Sequence, residues 1–197
     1  KDVLEITDTD WARKPEFPRV IKEPRNIQQV RIVIGYRTQT TAASDIYPAL
    51  SVMNGVYGAF AHSRLFRIVR EQEGLAYYTS SWLDRIKGVM FVAMGTNADK
   101  AEQAIATAEA QLKDIQSGNI GDDELENSKM MIATSVRSCC DKPGLLVHTY
   151  LENLVAGCVR EPKEYVDAIM NVSKKDVIAA AQRLLPDTTY VLGGNSA

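Results

Sequence analysis

Residues 63–78 read SRLFRIVREQEGLAYY, a pattern that predicts a helix followed directly by a strand. Leu65, Phe66 and Val69 recur at helical spacing and would face the protein interior from a helix over residues 63–73. Gly74 then supplies a natural helix stop, because glycine accepts the left-handed conformation in which many helices end. The residues after it predict a strand over 75–82.

Two hydrogen-bond donors flank this junction. Arg70 lies near the end of the predicted helix and Tyr77 lies in the predicted strand, so a turn at Gly74 could bring the guanidinium and the phenol to one face. Such a pair suits a peptide carbonyl. The alternative is that Arg70 pairs with Glu71 or Glu73 on a solvated surface while Tyr77 packs in the sheet.

The segments around this junction add strands and helices in an order typical of an α+β fold. Alternating apolar residues from Gln28 to Tyr36 predict a half-buried strand, and Ser44 is a candidate cap for a helix over residues 46–60. A turn at residues 84–88 would join the strand at 75–82 to another at 89–94 as an antiparallel hairpin. The sequence thus predicts a mixed, largely antiparallel sheet.

The second half of the chain predicts a block of helices that would cover this sheet. Helices are expected up to Gly118, over 122–139, from Pro143 to Gly157, and from Pro162 onward. Ser173 and Asp176 resemble a capping box for the last helix, which Pro186 would end. A short strand over 190–192 closes the sheet.

Composition limits the classes of partner and compartment. The 197 residues include 23 basic and 25 acidic side chains, a net charge of -2 that argues against nucleic-acid binding, and no stretch is apolar enough to cross a membrane. Three cysteines, two of them adjacent, fit reduced thiols and a cytoplasmic location better than a disulfide framework. We expect them to be small core or near-core residues.

Domain organisation is expected to be simple. Residues 1–24 are polar and contain Pro15, Pro18 and Pro24, which predicts an extended lead-in segment or linker before one domain over residues 25–197. The chain starts without methionine or a signal peptide, so it reads as a piece of a longer polypeptide.

Catalytic and metal-binding motifs are absent from the sequence. His62 and His148 are the two histidines, and neither stands in a zinc-binding spacing. We expect His62 to be a partly exposed loop residue and His148 to pack within a helix. There is no nucleophile elbow and no glycine-rich phosphate loop, so we expect no metal, cofactor or catalytic residue in this chain by itself.

The stretch at residues 63–78 resembles the second-domain signature of the insulinase/pitrilysin family of zinc metallopeptidases, which includes mitochondrial processing peptidase. In that signature, a serine, a basic residue, Leu and Phe precede V-R-E-x-x-G-L-A-Y. The resemblance extends over about residues 25–194, through a strand ending in Gly35-Tyr36, the helix at 46–60, and Asp123-Glu124-Leu125 at a helix start.

This resemblance implies the C-terminal, non-catalytic half of a two-half enzyme. The partner half would hold zinc through an inverted H-x-x-E-H motif, and the two halves would close around an extended peptide in a dimer-like assembly. Arg70 and Tyr77 would donate hydrogen bonds to the substrate main chain, and Tyr77 would stabilise a developing oxyanion. The resemblance leaves two partners open: a zinc-bearing half of the same chain, or a separate sister subunit.

One departure from the family pattern concerns the loop before Ser63. The family often has a run of glycines there, whereas this chain has Gly58-Ala59-Phe60-Ala61-His62, which predicts a stiffer loop. The resemblance also leaves a second function open: an inactive structural or assembly subunit, like the core subunits of respiratory complexes, without a role in proteolysis.

Overall fold

A five-stranded mixed sheet forms one layer of the protein. The computed structural model describes residues 18–158 and 160–194. The strands are β1 (Arg19–Glu23), β2 (Val30–Arg37), β3 (Tyr78–Asp84), β4 (Val89–Thr96) and β5 (Leu185–Leu192). Their order across the sheet is β1-β5-β2-β4-β3, and every neighbouring pair is antiparallel except β1 with β5.

Seven helices follow the order that the sequence predicts. They are α1 (Tyr47–Asn54), which continues as a π-helical turn (Gly55–Ala59), the π-type helix α2 (Leu65–Gln72), α3 (Ala101–Gln116), α4 (Asp122–Cys140), α5 (Pro143–Val155), α6 (Pro162–Met170) and α7 (Lys174–Gln182). The α+β class is therefore confirmed. None of the described helices is both long and apolar enough to cross a bilayer.

The core lies on one face of the sheet. Val30, Ile32 and Ile34 of β2 alternate with more exposed residues, so their side chains point to one side, where they join the buried residues of α1, α3 and α7. Val33 and Phe91, which point to the other side, line a shallow concavity of about 350 Å³. The sheet thus has a helix-covered face and a more open face.

The predicted hairpin between β3 and β4 is confirmed. Asp84 accepts hydrogen bonds from the backbone N–H groups of Ile86 and Lys87, and Gly88 takes a φ of 62°, which glycine adopts without strain. Strand β3 begins at Tyr78 rather than at residue 75 and extends to Asp84. Tyr77 consequently lies just before the strand instead of inside it.

The end of the chain contains a longer strand than the sequence predicts. Helix α7 ends at Gln182, and Pro186 lies inside β5 rather than at the end of the helix, so that prediction was wrong. Pro186 pairs with Tyr36 of β2, next to a bulge in which Asp187 of β5 has no pairing partner in β2, and β5 begins to pair with β1 at Thr188. An edge-like position at a bulge is where a strand accepts proline.

Of the two helix caps that the sequence predicts at Ser173 and Ser44, one is confirmed and the other is not. The capping box of Ser173 and Asp176 is confirmed, because the N–H of Ser173 donates to the Asp176 carboxylate at 2.9 Å and the N–H of Asp176 donates to the Ser173 hydroxyl. The predicted cap at Ser44 was wrong. Helix α1 begins at Tyr47, and Ser44 contributes its carbonyl oxygen, to which the Tyr47 N–H donates at 3.0 Å.

Strand β1 lies within the predicted lead-in segment. Arg19–Glu23 pairs in parallel with β5 at one edge of the sheet, a strand that the sequence did not reveal. The rest of that segment, residues 1–17, lies outside the described residues. The division of the chain at residue 24 stays a prediction.

Candidate functional site

A tight turn joins α2 to β3. Gly74 has a φ of 58°, and open space surrounds the position where a Cβ would lie. The backbone N–H of Leu75 donates to the carbonyl oxygen of Val69 at 2.8 Å, which fixes the strand entrance against the last turn of the helix. Arg70 and Tyr77 are therefore held on the two arms of one short, hydrogen-bonded bend.

Arg70 lies on the surface with partners from its own helix. Its guanidinium carbon is 4.6 Å from the centre of the Phe66 ring, and its Nε lies 3.4 Å from the Glu71 carboxylate, with the side chain 40% exposed. A pair this exposed contributes little stability, roughly 0–1 kcal/mol. The surface ion pair expected as the alternative role is present, and a ligand could displace it at small cost.

Tyr77 is also exposed, with 55% of its surface accessible. Its hydroxyl donates to the amide oxygen of Asn97 at 2.7 Å, and its backbone N–H donates to the Gly95 carbonyl at 2.8 Å. No hydrogen bond joins the side chains of Arg70 and Tyr77 among the described residues. Their convergence on one ligand stays a prediction, but neither group is sealed in the core.

The strand that follows Tyr77 is an edge strand. Within the described residues β3 pairs with β4 alone, so alternate N–H and C=O groups of β3 point away from the sheet. Tyr78 and Trp82 are exposed on this strand, and Trp82 stacks on Phe91 with ring centres 5.4 Å apart. The two donors thus stand at the head of an open strand edge.

Arg64 holds the start of α2 in place, a role that the sequence reasoning missed. It is only 6% exposed, its Nε and one terminal nitrogen donate to the two carboxylate oxygens of Glu124 at 3.1 and 2.7 Å, and the same nitrogen donates to the carbonyl of Asn119. The family signature contains a basic residue here. Nothing in the sequence identified its partner 60 positions later.

Glu124 is shared between this ion pair and the start of α4. It also accepts a hydrogen bond from the backbone N–H of Gly121 at 3.0 Å. Burial alone would raise the pKa of Glu124, but the bonds from Arg64 and Gly121 outweigh burial and hold that pKa below its ordinary value. Glu124 is therefore ionised when it anchors the two helices to each other.

The loop before α2 is held by packing on both sides. Gly58 is buried, and a Cβ there would lie 2.6 Å from both a Leu65 methyl group and the Ser81 hydroxyl. His62 is half-buried: its Nε2 lies 3.1 Å from the Ser128 hydroxyl and its ring stacks on Phe60. Burial lowers the pKa of His62. These contacts fix the position of the loop in the structure, and its greater stiffness stays a prediction.

The part of the chain that the structure describes offers no side-chain cluster that fits a zinc ion. Within residues 18–158 and 160–194, no three His, Cys, Asp or Glu side chains cluster closely enough to hold a metal. His62 faces Ser128, and His148 lies beside Glu152, 3.7 Å away, on an exposed face of α5. The prediction that His148 takes part in helix packing was wrong, because its side chain is 68% exposed and α5 buries none of its residues.

The cysteines are more accessible than predicted. All three thiols are free, Cys139 and Cys158 are half-buried, and Cys140 is exposed near the end of α4. The near-core position is thus confirmed for Cys158, which packs against the core, and wrong for the exposed Cys140. Its thiol points toward the carbonyl of Val136, one helical turn earlier, at 3.4 Å.

The fold and the signature at the α2–β3 junction define the inactive half-domain of a zinc-peptidase-like protein. A sequence model of the family described as "Peptidase M16 inactive domain" matches residues 8–132. The chain belongs to this family. The predicted resemblance to the non-zinc-binding domain of insulinase-type peptidases is confirmed.

Individual relatives agree with this assignment. The chain is 32% identical over 191 residues to the "Probable inactive metalloprotease YmfF" of Bacillus subtilis, covering 97% of this chain and 45% of the relative. It is 34% identical over 128 residues to the "Uncharacterized zinc protease YmxG" of the same organism, covering 62% of this chain and 31% of the relative. The chain spans less than half the length of these relatives.

A solved structure shows the same fold. A conserved protein from Enterococcus faecalis V583 superposes with a TM-score of 0.87 at 28% identity, covering 94% of this chain and 44% of that one. The match extends over most of the present chain, so the sheet order and helical layer described above belong to the family fold.

Proposed function

We propose that this chain is the substrate-holding half of a zinc-dependent metalloendopeptidase, and that it completes a cleavage chamber with a zinc-bearing half. The observation that carries the proposal is the pair of exposed donors, Arg70 and Tyr77, at the head of the open edge strand β3. In this proposal the substrate is an extended peptide.

Peptide binding would begin with the main chain of β3. An extended peptide can add to a free strand edge because its N–H and C=O groups alternate in the same way as those of the strand. This pairing is independent of the peptide side chains, so it favours extended conformation over sequence. It would also align a peptide carbonyl with the two donors at the start of the strand.

Both donors would exchange a present partner for the peptide. Arg70 would leave Glu71, an exposed partner at 3.4 Å. The Tyr77 hydroxyl, which now donates to Asn97, would turn its proton toward the peptide carbonyl. Each exchange replaces one surface interaction with another, so the cost of forming the bound state is small. The gain at Tyr77 rises as negative charge develops on the carbonyl oxygen.

Zinc belongs to the other half in this proposal. A metal-activated water there would supply the nucleophile. The present chain would position the scissile bond and stabilise the oxygen on which charge accumulates.

A second function is favoured by a different observation. The relative that matches nearly the whole chain is described as a probable inactive metalloprotease, and both donors already have partners within this chain. A purely structural or assembly subunit would need these two side chains only for contacts within its own chain.

The double substitution Arg70→Ala, Tyr77→Ala in the intact assembly separates the two functions. We expect the rate of peptide cleavage to fall by about 100-fold or more, because both donors to the substrate main chain are lost. A matched variant, Arg137→Ala with Tyr78→Phe, removes an exposed guanidinium from α4 and a neighbouring hydroxyl and should cleave normally. Normal cleavage by the first variant would instead favour the structural role.

The location of the protein is a further part of the proposal. The three free thiols in the described residues support a reducing compartment, and we place the protein in the cytoplasm.

A further inference from the structure

A partly enclosed cavity lies away from the α2–β3 junction, between the ends of α4, α5 and α6. Its volume is about 270 Å³. Helix α5 contributes Leu145 and Leu146 to its lining, and the stacked rings of Tyr47 and Tyr165 also line it. The three cysteines of the chain, Cys139, Cys140 and Cys158, all line this cavity.

The cavity is large enough for an organic ligand. Apolar cavities of about 150 Å³ already accept benzene-sized molecules. A cavity of about 270 Å³ has room for an apolar body of roughly eight carbon atoms by the same comparison. Its walls are mainly aliphatic, aromatic and sulfur-containing side chains, which favour an apolar body over a hydrated one.

The charged side chains that line the cavity are positive, whereas carboxylates lie just outside it: Glu161 accepts a hydrogen bond at 2.9 Å from the hydroxyl of Tyr150, which lines the cavity. Arg85 and Arg160 line it, and none of the described lining residues carries a carboxylate. Arg85 is already engaged, because it donates to the Asn153 side chain at 3.0 Å and lies 3.9 Å from Glu152. Arg160 forms no ion pair with a carboxylate of the described residues, so its guanidinium is available to an anionic ligand.

Helix α5 leaves apolar surface uncovered at the cavity. None of its residues is buried, and Leu145, which lines the cavity, is 50% exposed. A ligand in the cavity would add apolar contacts to the side of α5 that faces α4, where the helix now packs loosely. Binding would therefore order α5 as well as fill the space.

We propose that this cavity binds a small apolar carboxylate, such as a medium-chain fatty acid, with its chain along α5 and its carboxylate at Arg160. The proposal does not depend on peptide binding at β3. It assigns a ligand to the helical layer of the fold, on the side where the thiols lie.

Binding of octanoate to the intact protein that contains this chain tests the proposal. Titration calorimetry should show saturable binding of octanoate, with octanol about tenfold weaker and octylamine weaker still, because only the carboxylate complements Arg160. Phosphatidylglycerol vesicles, which present acyl chains beneath a phosphate headgroup, should not compete. Competition by vesicles, or equal affinity for octanoate and octylamine, would overturn the proposal.

Variants and the thiols locate the site. Arg160→Gln should weaken octanoate binding about tenfold, whereas Arg137→Gln removes a nearby charge outside the lining and should bind normally. Leu146→Trp, which fills the cavity, should abolish binding without a change in circular dichroism. Saturating octanoate should slow alkylation of Cys139 and Cys158 about fivefold, as the ligand excludes solvent from the cavity. Unchanged alkylation rates, or full binding by Arg160→Gln, would contradict the assignment.

Discussion

In the proposed assembly, replacing Tyr77 with phenylalanine should lower the kcat of peptide cleavage by about 100-fold while changing KM for a peptide by less than about threefold. The ring, the backbone bond to Gly95 and the strand edge all remain, so the peptide still binds. The hydroxyl that would donate to the carbonyl oxygen is lost, and this donor matters most when the oxygen carries negative charge. Steady-state kinetics with one quenched fluorescent peptide measure both constants.

The neighbouring residue offers a matched control. Tyr78→Phe keeps the ring and the backbone of β3 and removes a hydroxyl that the proposed mechanism does not use, so both kinetic constants should stay near those of the unmodified assembly. If the Tyr77 variant instead loses kcat/KM through a raised KM while kcat is unchanged, the hydroxyl contributes to substrate binding rather than to the transition state.

Replacing Arg64 with alanine should lower the free energy of unfolding by about 3 kcal/mol, the low end of the range for breaking a buried ion pair. Glu124 would be left without its main partner, and the carbonyl of Asn119 would lose a donor. The start of α2 would also lose its attachment to α4, so the α2–β3 bend should become more mobile. Urea titration followed by circular dichroism measures the loss.

Arg67→Ala is the control for this effect. Its guanidinium lies 3.6 Å from the same carboxylate but is 51% exposed, so its loss should cost only about 0.5 kcal/mol. The two variants remove the same charge from the same helix. A similar loss in both would contradict the conclusion that Arg64 anchors the helix through a buried pair.

The cost of the Arg64 substitution should also depend on pH. The folded state holds the pKa of Glu124 below its ordinary value of 4.5, so the ion pair stabilises the protein fully above that value. As pH falls through the lowered folded-state pKa, Glu124 is protonated and this contribution disappears. The stability difference between the unmodified protein and Arg64→Ala should therefore be largest near neutral pH and should narrow below about pH 4.5.

Local patterns predicted most of the fold. The alternation of Val30, Ile32 and Ile34 identified a strand with one buried face because side chains of a strand alternate between its two faces. The hairpin at residues 84–88 and the capping box at Ser173 were readable because each depends on neighbouring residues. Such features need no knowledge of the rest of the chain.

Structural features that depend on residues far apart in the chain could not be predicted from local sequence patterns. Strand β1 forms because β5, more than 160 positions later, offers a parallel edge, and its own sequence shows no strong alternation. Pro186 was wrongly predicted to end the last helix, because the bulge at Asp187 of β5 that accommodates it depends on pairing with β2, which the neighbouring residues do not show. The pairing of Arg64 with Glu124 likewise joins two helices that are far apart in sequence.

The sequence motif predicted where the candidate site lies, but not the contacts of its side chains. The signature placed Arg70 and Tyr77 on either side of Gly74, and the structure shows both at the surface. The signature did not reveal that Asn97 accepts a hydrogen bond from the Tyr77 hydroxyl, or that β3 is an edge strand. Both features follow from how β4 pairs.

Amide hydrogen exchange of the assembled protein with a non-cleavable peptide tests the central claim most directly. If an extended peptide adds to the sheet beside Arg70 and Tyr77, alternate amides of Tyr78–Asp84 should exchange at least about tenfold more slowly in the complex. Amides of β1, at the opposite edge, should be unchanged. Saturating peptide that protects no amide of β3 would contradict the account.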